Sequence, residues 1–417
     1  MQKEVADFRL ALARLREVMV DPARFSSDGD ITGRYARPGA VSGRLVAAVF
    51  PRSQVDIRQV LEVAGSFGLS VYSPVPGGLV PPRPGIVLDF RFMAHVKDPD
   101  TKNLFLEVEP GVTWEQAISV LEGSGTKLAL PASAKSPYVL ESALEREVVL
   151  PACRFTNRQL STFHAVLADG REYRSGSDAL PGSVAHWRED GGPNISRIFS
   201  GSRNSFGIPV RAFLFLYPLP EHRKVVVYGL SNRKQACALA QRAARSEVGT
   251  EVVILSRAKA KEVLGEDAGL PNWSLVIGLE GSGMLVEYHE KRIASFASEL
   301  KLKPKPAGVR VTRAFAAALE RPWYAPEISF GFYANFNQVE KFSELAENAL
   351  KAKGRLAQML IPVKRGASVY VQYDMVNPSR EAASAVNRLL PRLSDAGAFF
   401  ANPTGALATH IFNRQPG

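Results

Sequence analysis

Cysteine is nearly absent: the 417 residues hold two, Cys153 and Cys237, far apart in the chain. Two thiols so separated exclude a disulfide framework and an iron–sulfur cluster borne by this chain, and they suit a reducing compartment. Histidine is scarce too, six in all, with no His-x-His or His-x-x-His spacing, so no metal site is expected. No run of about 18 apolar residues occurs, and no membrane span is read. Met1-Gln2-Lys3-Glu4 carries an acid and leads into an amphipathic segment, not a signal-peptide core. The expectation is a cytoplasmic chain. A P-loop, a Gly-x-Ser-x-Gly elbow and a paired-acid hydrolase signature are also missing.

Apolar residues, by contrast, are plentiful. With 46% hydrophobic and 22% charged residues, the chain can bury the cores of two or three domains. The formal net charge is +11, and it is unevenly placed. Residues 1–220 hold 25 basic and 23 acidic side chains, whereas residues 221–417 hold 27 and 18. A field of that kind favours an anionic substrate, an acidic partner or an anionic membrane surface. A merely solvated Lys/Arg surface is the plain alternative. Nucleic acid is not expected, since no basic run is interleaved with aromatics.

Val5, Phe8, Leu12 and Leu15 recur at helical spacing and predict an amphipathic helix closed by Asp21-Pro22. Residues 46–50 read as a strand, Ser53 as the cap of a helix over 54–67, and 69–72 as a second strand. That β-α-β order favours a parallel pair. A Pro/Gly loop follows, containing Pro76-Gly77-Gly78, then strands over 86–90 and 104–109. Thr113 caps a helix to Leu121, and 164–173 reads as a hairpin with an Asp-Gly turn. A boundary is expected near Pro218-Leu219-Pro220. Beyond it, strands separated by single helices suggest an α+β plait with helices on one face.

Several pieces, in order, carry a resemblance. They are Phe50-Pro51-Arg52-Ser53, Glu109-Pro110-Gly111-Val112, Gly192-Pro193-Asn194-Ile195 and the run Phe199 to Ile208. Together they resemble the FAD-linked oxidases with a p-cresol-methylhydroxylase or vanillyl-alcohol-oxidase type flavin domain. D-lactate dehydrogenases and glycolate oxidase subunits are among these. The resemblance implies an α+β fold: a PCMH-type FAD-binding fold of two α/β subdomains, followed by a ferredoxin-like cap. The implied division is an N-terminal helix and lead-in over 1–39, the flavin domain over 40–220, the cap over 221–395 and a tail over 396–417. It implies FAD as cofactor, held around Pro76, Gly77, Gly78, Glu109, Pro110, Gly111, Pro131, Asn194, Gly201, Gly207 and Ile208.

The residues also depart from the pattern. Pro81 and Pro82 remove N–H donors from the loop that should cradle a pyrophosphate. The second flavin-contacting stretch, Ser136 to Ala143, has no glycine and several bulky side chains, which would intrude on a ring needing about 3.5 Å of clearance. Two readings therefore stand. One is an FAD-dependent oxidoreductase subunit that oxidises a small 2-hydroxy acid or similar alcohol. Electrons would pass to an iron–sulfur or flavoprotein partner subunit, with a peripheral contact at an inner membrane as part of such a complex. The other is a flavin-free, non-catalytic pseudo-subunit keeping the scaffold for assembly. For the first, oxidation needs a base and a cation for the substrate carboxylate. The candidates are His289, Arg365 and Tyr373 in the second half.

Overall fold

The computed structural model describes residues 2–35, 45–74, 83–151, 159–183, 186, 195–267, 269–403 and 405–414, and the chain divides into two compact units. Unit 1 comprises residues 1–128, 135–146 and 158–218; unit 2 comprises 129–134, 147–157 and 219–417. Two short excursions of the first half thus belong to the second unit.

Unit 1 begins with helix α1 (Gln2–Met19), whose Ala11, Leu15 and Met19 are fully buried. Strands β1 (Phe25–Ser26) and β2 (Leu45–Val49) follow, then α2 (Gln54–Ser66), β3 (Ser70–Tyr72) and β4 (Gly85–Leu88). Ser53 and Asp56 form a reciprocal capping box that starts α2. The sheet order is β1-β2-β4-β3, with β4 parallel to both β2 and β3. The β-α-β reading gave parallel strands correctly, yet β4 lies between the two that α2 connects. A second sheet is antiparallel. It contains β5 (Phe105–Val108), β6 (Leu160–Val166), β7 (Glu172–Arg174) and β8 (Ile208–Phe215), in the order β5-β8-β6-β7. Between them run α3 (Trp114–Val120), opened by a Thr113–Gln116 capping box, and α4 (Val139–Leu144). One core joins the sheets: Ala47, Ile57, Val60 and Ile86 pack with Val166, Ile208 and Val210.

Unit 2 is built on a seven-stranded antiparallel sheet. Its strands are β9 (His222–Leu230), β10 (Glu251–Ser256), β11 (Trp273–Gly281), β12 (Lys305–Pro306), β13 (Ser329–Ala334), β14 (Arg355–Val363) and β15 (Ser368–Val376). Their order is β12-β9-β11-β10-β14-β15-β13. The helices are α5 (Arg233–Arg245), α6 (Arg257–Leu264), α7 (Gly283–Glu299), α8 (Val309–Ala318), α9 (Val339–Leu350) and α10 (Ala382–Asp395). Helices α5, α7, α9 and α10 cover one face and share a core with Ile254, Ile277, Val371 and Tyr373. Helix α6 does not join them. Its Lys259 reaches Asp374, whose side chain alternates away from Tyr373, so α6 lies on the opposite face. The expectation of helices on one face is corrected accordingly.

Candidate functional site

In unit 1 the chain leaves β2, β3 and β4 at one edge of the sheet, the carboxyl edge where open α/β sheets bind ligands. Phe50, Ser73 and Asp89 stand at those exits. Asp89 is only 4% exposed. It accepts hydrogen bonds from the Tyr35 hydroxyl (2.6 Å) and from the Arg91 guanidinium at 3.1 and 2.7 Å. Arg91 also lies over the Phe50 ring, 4.7 Å from its centroid. Burial alone would raise the Asp89 carboxyl, but the bonds from Arg91 and Tyr35 outweigh it and hold the group below the usual carboxylate range. Burial, with Asp89 nearby, pushes the phenols of Tyr35 and Tyr138 up.

A depressed carboxyl fixes the sign of a pH effect. Its contribution to stability is present above the ordinary carboxylate pKa and is lost as pH falls through the folded value. Asp89→Asn should cost about 1.5–3 kcal/mol at neutral pH, the range for hydrogen bonds to a charged group. It should also flatten the loss of stability below about pH 4, the ordinary carboxylate range. Denaturant titrations across acid pH check both.

A second element of the site is the loop 201–207, where Gly201, Arg203 and Asn204 all take left-handed backbone (φ 77°, 51° and 63°). The Gly201 N–H donates to the Leu144 carbonyl (3.0 Å), and the Arg203 N–H to Glu145 Oε1 (3.1 Å). The Asn204 amide donates to the Ser73 hydroxyl at 2.7 Å. One loop thus ties the exit of β3 to the end of α4. Burial pushes the Glu145 carboxyl up, against the opposing pull of Arg203. The Ser202 hydroxyl is buried and has no hydrogen-bond partner among the described residues.

The third element is Glu109-Pro110-Gly111. Glu109 accepts the His95 N–H at 2.9 Å, and the Gly111 N–H donates to the Met93 carbonyl at 2.7 Å. A Cβ on Gly111 would stand 2.0 Å from the Phe90 carbonyl oxygen. This stretch is bound to the next: Val139 N–H donates to Val112, and Trp114 N–H to Pro137.

The structure gives other expected residues different surroundings. A Cβ on Gly207 would meet the Val166 carbonyl at 3.0 Å and Phe199 at 3.2 Å, and Ile208 is buried in the core. Protein packing accounts for both. Pro131 is buried in unit 2, where its carbonyl accepts the Trp323 N–H at 3.0 Å. Pro76, Gly77, Gly78 and Asn194 lie outside the described residues, as do Pro81, Pro82 and Cys153. Tyr373 sits in the helix-covered core of unit 2, its phenol bonded to Ser343 (2.8 Å) and Gln358 (2.7 Å). Arg365 is on the surface, paired with Glu247 at 3.1 Å. His289 is half-buried on α7. No hydrogen bond or ion pair joins these three among the described residues. Nor do the described residues hold a group of three His, Cys, Asp or Glu side chains able to bind a metal ion.

Unit 1 also has a cavity of about 510 Å³ between the start of α2 and strands β6–β8. Arg52, Arg58, Arg174 and Arg211 rim it around His164. Three of those arginines are already paired, with Asp21, Glu172 and Glu107. Burial pulls the His164 imidazole down despite Asp178 at 3.1 Å.

Residues 46–176 match a family model described as an FAD binding domain. Over this segment the chain is similar to FAD binding domains. The matched residues lie largely in unit 1, and FAD is the cofactor that the family description carries. The 1'-carboxy-chondrochloren decarboxylase of Chondromyces crocatus is 24% identical over 243 residues, 55% of this chain and 44% of that protein. Glycolate oxidase subunit GlcD of Bacillus subtilis (strain 168) is 26% identical over 189 residues, 43% and 39% respectively. The chain therefore spans less than half the length of these curated relatives. The fold extends further. The structure of p-cresol methylhydroxylase with substrate bound superposes with a TM-score of 0.80 at 17% identity, covering 94% of this chain and 88% of that one. The likeness is one of fold, and it places the chain in the PCMH-type architecture.

Do the described residues fit the cofactor? The steric objection came from Ser136 to Ala143. There the bulky Val139 and Leu140 are fully buried inside the protein, and Tyr138 is half-buried. The loop 201–204 offers a buried hydroxyl that has no partner among the described residues, while the N–H groups of Gly201, Ser202 and Arg203 are engaged within the protein by Leu144, Phe199 and Glu145. These described residues fit the cofactor.

Proposed function

We propose that the chain is an FAD-dependent oxidoreductase subunit that oxidises a small 2-hydroxy acid or similar alcohol and passes electrons to a partner subunit. The structural observation that carries it is the 201–204 loop, which ties the exit of β3 to the end of α4 and holds a buried Ser202 hydroxyl with no partner among the described residues. In this reading Ser202 donates to the cofactor and Asn204 fixes the Ser73 side of the site. The exposed guanidinium of Arg203 offsets the negative charge of a diphosphate. FAD when bound supplies the hydride-accepting chemistry. A partner is invoked because this chain's two cysteines cannot ligate an iron–sulfur centre. The relationship to a glycolate oxidase subunit supports the substrate class and the subunit reading.

Asn204→Ala should weaken FAD about tenfold, one net hydrogen bond's worth, with the fold retained. Equilibrium titration followed by flavin fluorescence reads this directly. The activity itself is tested by anaerobic addition of glycolate and of D- and L-lactate to the flavin-loaded chain. Loss of the visible flavin absorbance is expected with at least one. If none of these acids bleaches a flavin that dithionite does reduce, the substrate assignment falls.

A further inference from the structure

The charge excess of the second half has one main address. Between Glu299 and Glu320 the chain carries no acidic residue, yet it holds Lys301, Lys303, Lys305, Arg310 and Arg313. These five account for more than half of the +9 carried by residues 221–417. The structure concentrates them further. Lys305 and Pro306 form β12, the edge strand of the unit 2 sheet, where they pair only with β9. Pro304 and Pro306 lack N–H groups, which disfavours extension of the sheet by another strand. Lys303 and Lys305 are both exposed and, two apart in extended chain, point to the same side.

The cations are also uncompensated. Among the described residues, Lys301, Lys303, Lys305 and Arg313 have no ion pair, and only Arg310 is engaged, by Glu266. The bordering acids are taken elsewhere: Glu299 binds Arg242, and Glu320 binds Arg223 at 2.9 Å. Helix α8 opens beside this edge at Gly308, with no side-chain cap and no acid in its first turn. Its amino-terminal partial charge therefore adds to the same field. Apolar side chains stand among the charges. Val309 is 75% exposed and Leu300 37% exposed; residues 300–313 include no aromatic ring, and the neighbouring Phe315 is fully buried, so no ring is offered on which a base would stack.

Unpaired cations on flexible stems, interleaved with exposed apolar residues along a strand edge, match the phosphate layer of a membrane and the apolar boundary beneath it. We propose that the edge formed by Leu300 to Arg313 is a docking surface for an anionic lipid bilayer. This does not depend on flavin chemistry and holds for the apo chain as well.

Co-sedimentation of the full chain with phosphatidylcholine vesicles, with and without phosphatidylglycerol, tests it. Binding is expected only to the anionic vesicles, and it should be lost as salt rises. Near such a surface each cation contributes about fivefold to binding. The K303E/K305E pair should therefore weaken binding at least about tenfold. The same charge change at K341E/K351E, on and just after α9, should alter it by no more than about twofold, because a cation there is remote from the contact. Val309→Asp should also weaken binding, with its thermal unfolding unchanged. Three results would overturn the proposal: no sedimentation with anionic vesicles; equal weakening by both lysine pairs; or tighter binding to duplex DNA than to vesicles at the same ionic strength.

Discussion

Gly111→Ala should destabilise unit 1 by about 3 kcal/mol, the upper range for overpacking a filled site, and abolish FAD retention at physiological temperature. The reason is local and steric. The new methyl would stand 2.0 Å from the Phe90 oxygen and 2.8 Å from the Met93 oxygen, both backbone atoms that cannot swing aside. The backbone of Gly111 is not left-handed, so conformation is not the constraint; close approach is. Gly65, within α2, gives the internal control, since a Cβ there meets nothing within 4 Å. Gly65→Ala should be neutral or stabilising by about 0.4–1 kcal/mol. Guanidinium titrations should show a lower midpoint for Gly111→Ala and an unchanged or higher one for Gly65→Ala.

The second large effect belongs to unit 2. Asp374→Ala should cost about 3–5 kcal/mol, because it strands a buried ammonium. Asp374 and Lys259 are fully buried 2.5 Å apart, and Gln372 donates to the second carboxylate oxygen at 2.8 Å. The remaining partner of Lys259 is Glu262 at 2.7 Å, which is partly exposed. Replacing both members of the pair, as K259M/D374L, should recover most of the loss, since removing both charges removes the unmet desolvation. Recovery would show that the pair is a matched structural set; no recovery would show that one member acts alone.

Much of the fold was legible in the sequence because its signals were local. Ser53 and Thr113 mark helix starts through capping boxes that need only residues three apart. The Asp-Gly turn joins β6 and β7 as an antiparallel pair. Non-local order was not legible: nothing within 46–72 reveals that β4, which begins 13 residues later at Gly85, inserts between β2 and β3. Strand β14 has no alternating signal of its own, because eight of its nine residues are partly or wholly buried. Helix α8 was hidden by the proline-rich lead-in at Pro304 and Pro306.

The site was legible in the pieces that resemble other flavin domains and less so in roles. Tyr373 looked chemical by residue type. Yet Val369, Val371 and Met375 share its parity along β15, and that alternation marks the core-facing side. Asp89, Arg91 and Tyr35 escaped notice because their network links positions 54 residues apart. The bond from Asn204 to Ser73 spans 131 residues and has no sequence signal at all. The bulky residues of 136–143 read as intruders only because the sequence does not say which way a helix turns them.

Equilibrium binding of FAD to the full chain, followed by flavin fluorescence and visible absorbance, tests the central claim most directly. The account predicts stoichiometric, saturable binding that Asn204→Ala weakens and a surface substitution such as Lys351→Glu does not. A well-folded preparation that stays colourless and leaves FAD fluorescence unchanged at saturating cofactor would contradict it.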